Sequence, residues 1–131
     1  MKIATIVCRF LMGLGFVIFG LNILHPFLPQ PPPAPGSLAA GFMAVFFPSH
    51  WMSFVGAFQL LGGLLVLSGR MAPLGLAILA PILVNILLFH FCLMNGEGIV
   101  PGLVFTVLEI FLIYAYRNYF RPLLSVDAKP S

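Results

Sequence analysis

Four long apolar runs decide what this chain can fold into. They are Ile3–Leu24, Trp51–Gly69, Met71–Met94 and Ile99–Tyr116. The first is 22 residues long, broken only by Arg9 and, near its end, Asn22. A helix of that length crosses a hydrocarbon core of ~30 Å with some tilt. Because the runs are continuous, they exclude a barrel, whose strands alternate lipid-facing and lumen-facing residues. The expected architecture is all-α: one membrane domain over residues 1–131, a bundle of four transmembrane helices spanning about 3–24, 51–69, 71–94 and 99–118.

Charge supports this. Hydrophobic residues make up 61% of the 131 and charged residues 7%, against ~25% charged in a soluble domain. Six Lys or Arg and three Asp or Glu cannot cover a water-soluble surface. The cations are dispersed, so nucleic acid is excluded as a partner and the lipid bilayer is the first one implied. A cleaved secretory signal does not fit. Its apolar stretch is ~7–15 residues and ends in small residues, whereas this run ends in Leu21-Asn-Ile-Leu-His25.

The connections are informative. His25–Gly36 contains six prolines, which forbid a continuous helix and favour extended, partly polyproline II chain. Leu38–Phe47, closed by Pro48, is too short to span and reads as a short interfacial helix within an outer loop, 25–50. Trp51 stands at a belt position, as do Tyr114, Tyr116 and Tyr119 beside Arg117 and Arg121. Pro73 falls in a first turn, where proline is tolerated, and Pro81 is expected to kink the third span. Asn95–Gly98 reads as a tight turn and residues 122–131 as a C-terminal tail.

Four spans place both termini on one side. Lys2, Arg9, Arg70, Arg117, Arg121 and Lys129 all belong to that side, and no Lys or Arg to the other. The positive-inside rule makes the termini cytoplasmic, in the simplest case at a bacterial inner (plasma) membrane. Cys8 and Cys92 lie ~25 Å apart in depth, too far for a disulfide, and no Cys-x-x-Cys is present.

Polar residues inside the spans are the candidate functional groups. Arg9, Gln59, Asn85 and Glu109 form a candidate intramembrane polar layer. Counted from the cytoplasmic ends, Arg9 is ~10 Å deep, Glu109 ~12 Å and Gln59 ~16 Å, with Asn85 deeper still. An Arg9–Glu109 ion pair is expected on that count. At 100° per residue, Arg9, Gly13, Phe16 and Gly20 share a stripe, as do Gly56, Gln59, Gly63 and Val66, and Gly102, Phe105, Glu109 and Tyr116. Small residues on these stripes point them at the bundle interior. The layer reads either as structure, fixing helix register, or as a site for a quinone, proton or substrate. On the outer side, Asn22, His25, His50 and His90 form a candidate pocket. Their spacing matches no metal motif, so no metal is assigned. No nucleotide loop, hydrolase elbow or zinc-protease motif occurs, and no catalytic residue is assigned.

Three segments carry a family resemblance. They are Arg9-Phe-Leu-Met-Gly-Leu-Gly-Phe-Val-Ile-Phe-Gly-Leu-Asn22, Phe54-Val-Gly-Ala-Phe-Gln-Leu-Leu-Gly-Gly-Leu-Leu-Val-Leu-Ser-Gly-Arg70 and Pro81-Ile-Leu-Val-Asn-Ile-Leu-Leu-Phe-His90. Tyr114-Ala-Tyr-Arg-Asn-Tyr-Phe-Arg-Pro-Leu-Leu124 closes the pattern. In order and spacing the chain resembles the DoxX family of small four-helix membrane proteins. The resemblance implies kinship with a thiosulfate:quinone oxidoreductase subunit, hence quinone as the cofactor and membrane redox subunits as partners. Two positions depart from it: Gln59 stands where many relatives have Glu, and Gly20-Leu-Asn22 stands where a Gly-x-x-Lys is common. The function expected is an accessory or quinone-proximal subunit of a membrane redox system, not an enzyme on its own. A small carrier or sensor, a non-catalytic scaffold and a homo-oligomer remain open alternatives.

Overall fold

The computed structural model describes residues 2–131. Among them every regular element is helical and there is no strand. In order these are α1 (Lys2–Leu24), α2 (Leu38–Phe46), α3 (Trp51–Ser68), α4 (Ala72–Leu88), α5 (Ile99–Ala115) and α6 (Arg117–Phe120). One π-helical turn, Phe89–Leu93, continues α4, and a 3-10 turn, Arg121–Leu124, continues α6. Three units are long and apolar enough to cross a membrane: α1, α3 and α4 with its π turn. The 17 residues of α5 make a fourth only together with the bent segment that follows. At ~1.5 Å per residue, α5 alone covers ~25 Å.

The long helices close into a ring, with α1 on α3, α3 on α4, α4 on α5 and α5 on α1. The α1–α3 contact is set by missing side chains. A Cβ on Gly13 would lie 2.6 Å from the Leu67 backbone nitrogen, and one on Gly20 or Gly63 2.9 Å from the backbone nitrogen of Leu60 or Val17. Backbones meet there directly, the arrangement that gives most dispersion contact where lipid supplies no hydrophobic force between helices. On its other edge α3 meets α4 through Gly62 and Gly75. The core between the helices is Met12, Phe16, Val66, Leu76, Leu79, Leu83 and Leu112. Around it, exposed side chains such as Phe10, Phe54, Phe58, Val84 and Val107 give the long helices an apolar outer surface.

At one end, Asn22 Oδ1 accepts hydrogen bonds from the backbone N–H groups of Phe27 and Leu28, both at 2.9 Å. This fixes how the chain leaves α1 for the proline segment. Ser37 then caps α2, its hydroxyl accepting from the Ala40 N–H. Phe42 of α2 contacts Phe89 of the π turn at 5.1 Å between ring centroids, and Phe46 contacts Trp51 at 5.3 Å. The short helix is thus pinned over that end by aromatic edges. The π turn puts the His90 carbonyl within 2.7 Å of the Gly96 N–H and His90 Nδ1 within 2.9 Å of the Glu97 carbonyl oxygen.

The other end carries Lys2, Arg70 and Arg117. Here the sequence expectation of a fourth span running through residue 118 is corrected. The helix stops at Ala115, and Arg117–Leu124 turns away by 81°. Arg117 stabilises the stop. Its Nη1 donates to the Tyr114 carbonyl at 3.0 Å, and its guanidinium lies 4.5 Å from the Tyr114 ring centroid. A cation on the last carbonyls of a helix is favourable. α4, by contrast, is one helix through Pro81.

Gly13→Ala is expected to destabilise the bundle by about 1–3 kcal/mol, because α1 and α3 must part to admit one methyl group. Gly41→Ala, in α2 with nothing within 4 Å of the added carbon, should leave stability unchanged or raised. Thermal unfolding of both variants in detergent checks the contrast.

Candidate functional site

The interior holds two buried polar or charged side chains among the described residues, Gln59 at 3% exposure and Glu109 at 4%. Each sits on the glycine stripe expected for it. Gly56, Gln59, Gly63 and Val66 are all buried, as are Gly102 and Glu109. Neither carboxyl oxygen of Glu109 has a hydrogen-bond partner among the described residues. One turn away, Phe105 contacts Phe16 at 5.0 Å and Phe19 at 6.5 Å between centroids. Glu109 therefore lies one turn from an aromatic cluster shared by α1 and α5.

The expected Arg9–Glu109 pair is not formed. Arg9 turns to α3 instead, and its Nε donates to the Val66 carbonyl at 3.0 Å. Val66 is in the last turn of α3, whose carbonyls have no intrahelical donors. Arg9 thus caps a neighbouring helix at its negative end. Gly69 leaves room for the cap. That residue takes φ 77°, which lets the chain leave α3 in a left-handed turn, and a Cβ there would collide with the Arg9 guanidinium. Arg9 is half-buried as a result.

The four-residue layer is not one layer either. Gly20 packs at Leu60, which places Gln59 level with Gly20 and Leu21 of α1. That is eleven residues from Arg9, or ~16 Å along the axis. Depth counted from helix ends failed because the ends are staggered. Arg9 is level with the α3 terminus, so the first two turns of α1 project beyond it. Asn85 is exposed, and its Nδ2 donates to the Pro81 carbonyl of its own helix at 3.0 Å. The buried stripe of α4 is Ala72, Gly75, Leu76, Leu79 and Leu83; Asn85 falls off it.

The outer-pocket candidates have separate tasks. Asn22 holds the loop start, and His90 faces the Glu97 carbonyl. His50 precedes α3 with φ 64°, and both His25 and His50 are exposed. No three His, Cys, Asp or Glu side chains among the described residues gather into a group able to hold a metal ion.

Two grooves at the basic end went unnoticed in the sequence. One, of about 330 Å³, is lined by Lys2, Thr5, Ile6, Arg9, Ala115 and Tyr116. The other, of about 420 Å³, runs along Gly69, Met71, Ala72, Pro73, Leu74, Tyr116 and Tyr119. Tyr116 is the wall between them. The one available signal was the Tyr-Arg cluster at the close of α5, read only as a membrane belt. Set against family models, curated proteins and solved structures, the chain matches none of them.

Arg9→Gln is expected to cost about 1–3 kcal/mol through loss of the charge-assisted bond to Val66. Combined with Glu109→Gln, the two effects should add within ~0.5 kcal/mol, as for groups that do not touch. A double-mutant cycle by thermal or denaturant unfolding measures this. A coupling energy well above that limit restores the ion pair.

Proposed function

We propose that this chain is a four-span membrane protein, akin to the DoxX family, that holds a membrane quinone beside Glu109 as an accessory subunit of a redox system. Glu109 carries the reading: a carboxyl group 4% exposed, within helices of membrane-spanning character, with both oxygens unpartnered. An ionisable group is rarely kept in such a place without a task, and a buried polar group without a hydrogen bond costs stability. The cluster of Phe16, Phe19 and Phe105 supplies aromatic surroundings one turn away from it.

These residues fit a quinone headgroup. Protonated, the Glu109 carboxyl donates to a carbonyl oxygen; ionised, it accepts from a hydroxyl. Phe105, half-buried, and Phe19, exposed at its edge of α1, could orient an aromatic ring by edge or face contact. A bound quinone supplies reversible uptake of two electrons and two protons. Glu109 would hold the headgroup and could keep or release a proton at its carboxyl group, while the apolar shell would exclude water. In this reading a partner subunit would supply the electrons. The charge asymmetry supports cytoplasmic termini, in the simplest setting at a bacterial inner membrane.

Purification in mild detergent, followed by solvent extraction and mass spectrometry, tests this directly. Wild type is expected to retain about one quinone per chain, and Glu109→Gln at least ~10-fold less, as for loss of one strong hydrogen bond. Size-exclusion profiles must match for the comparison to count. A wild-type protein free of quinone, or equal retention by the variant, refutes the reading.

A further inference from the structure

The groove between α1 and the α5–α6 bend belongs to a different chemistry from Glu109. Leu112, fully buried, stands between Tyr116 and Glu109 on the α5 stripe. The groove is lined by two cations, Lys2 and Arg9, two hydroxyl-bearing residues, Thr5 and Tyr116, and the apolar Ile6 and Ala115. No acid lines it. Lys2, Thr5 and Arg9 follow the i, i+3, i+7 spacing of one helix face.

Arg9 is the organising residue. Its Nε is bound to the Val66 carbonyl, and Gly69 leaves room for the guanidinium beside the α3 terminus. Four of its five N–H donors have no acceptor among the described residues. A guanidinium locked in place with free donors loses little freedom on taking a ligand. The ligand it matches is a phosphate, which accepts from a planar fork and from a nearby ammonium and hydroxyls.

The surroundings say which phosphate. Ile6 is both groove wall and 57% exposed, and Ile3 and Phe10 continue the exposed apolar surface of α1. An acyl chain can run from the groove mouth along that surface without entering water. Beside it, the segment turned by 81° exposes Tyr119, Leu123 and Leu124 next to Arg117 and Arg121, the composition of a segment lying at headgroup level. We propose that the Lys2–Thr5–Arg9–Tyr116 groove is a specific site for the phosphate headgroup of an anionic phospholipid. The site does not depend on quinone binding at Glu109.

The full chain in detergent, probed by native mass spectrometry with equal amounts of phosphatidylglycerol and phosphatidylcholine, tests this. Wild type should retain the anionic lipid preferentially. Lys2→Gln should weaken that retention about fivefold, the effect of removing one cation near a headgroup, and Lys2→Gln with Thr5→Val further. Tyr116→Phe, which keeps the ring and so the packing, should also weaken it. Arg121→Gln, an exposed cation outside the groove, should change it by less than twofold. Equal retention of the two lipids overturns the proposal. So does an Arg121→Gln effect as large as that of Lys2→Gln, which would mean diffuse charge attraction. Displacement of the lipid by millimolar inorganic phosphate overturns it too, because the groove would then be a free-anion site.

Discussion

The direct backbone contact of α1 with α3 is what the rest of the structure depends on. Gly13, Gly20 and Gly63 remove the side chains that would hold the two helices apart. Where the surrounding solvent is as apolar as the helices, close packing is the main source of association. The contact also sets register. With Gly13 at Leu67 and Gly20 at Leu60, the end of α3 must fall beside Arg9. The first two turns of α1 must then overhang the α3–α4 turn. The overhang, together with the bend after Ala115, makes the groove at the basic end.

The same register disposes of the one cation that would otherwise be unsupported. An arginine within an apolar span is expensive, and a carboxylate is its obvious remedy. The α3 terminus is nearer. Its last carbonyls already need donors, so Arg9 and α3 satisfy each other without Glu109. Gly69 therefore serves the turn by its left-handed backbone and also leaves space for the guanidinium. The consequence lies elsewhere: among the described residues Glu109 is left with neither a counter-ion nor a hydrogen bond.

Sequence periodicity and sequence depth differed sharply as guides. Periodicity identified the interior faces of α1, α3 and α5, because glycine and polar residues recurred together at helical spacing. It also marks Asn85 as an outlier, since that residue lies off the Ala72–Leu76–Leu79–Leu83 stripe. Asn85 entered the candidate layer on depth alone. Depth assumed a common plane for all helix ends, and the stagger of α1 against α3 removes that plane. The all-helical character followed from the continuous apolar runs. The bend at Tyr116 did not, because Tyr-Arg after an apolar run reads equally well as a straight helix ending at a belt. The π turn at Phe89–Leu93 had no local signal: neither glycine nor proline lies within it, and its shape depends on the His90 and Gly96 backbone closure.

One asymmetry links packing to access. α1 is tied to α3 by Arg9 as well as by glycine contact, whereas no side-chain hydrogen bond among the described residues joins α5 to α1 or α4. Thr106, its one hydroxyl-bearing residue in the apolar stretch before Tyr114, donates to the Gly102 carbonyl of its own helix at 2.7 Å. α5 is held through apolar surface, Phe105 against Gly15 and Phe16 of α1 on one side and Gly102 against Ile86 and Leu87 of α4 on the other. Apolar packing is non-directional, and an apolar ligand can replace it at little cost. A hydrogen bond offers no such exchange, since its loss leaves a buried polar atom bare. The unpartnered carboxyl group is thus carried by the helix whose contacts an apolar ring can most easily substitute. If a membrane-dissolved ring binds Glu109 as proposed, the α1–α5 seam, rather than the glycine-locked α1–α3 seam, is where it would enter.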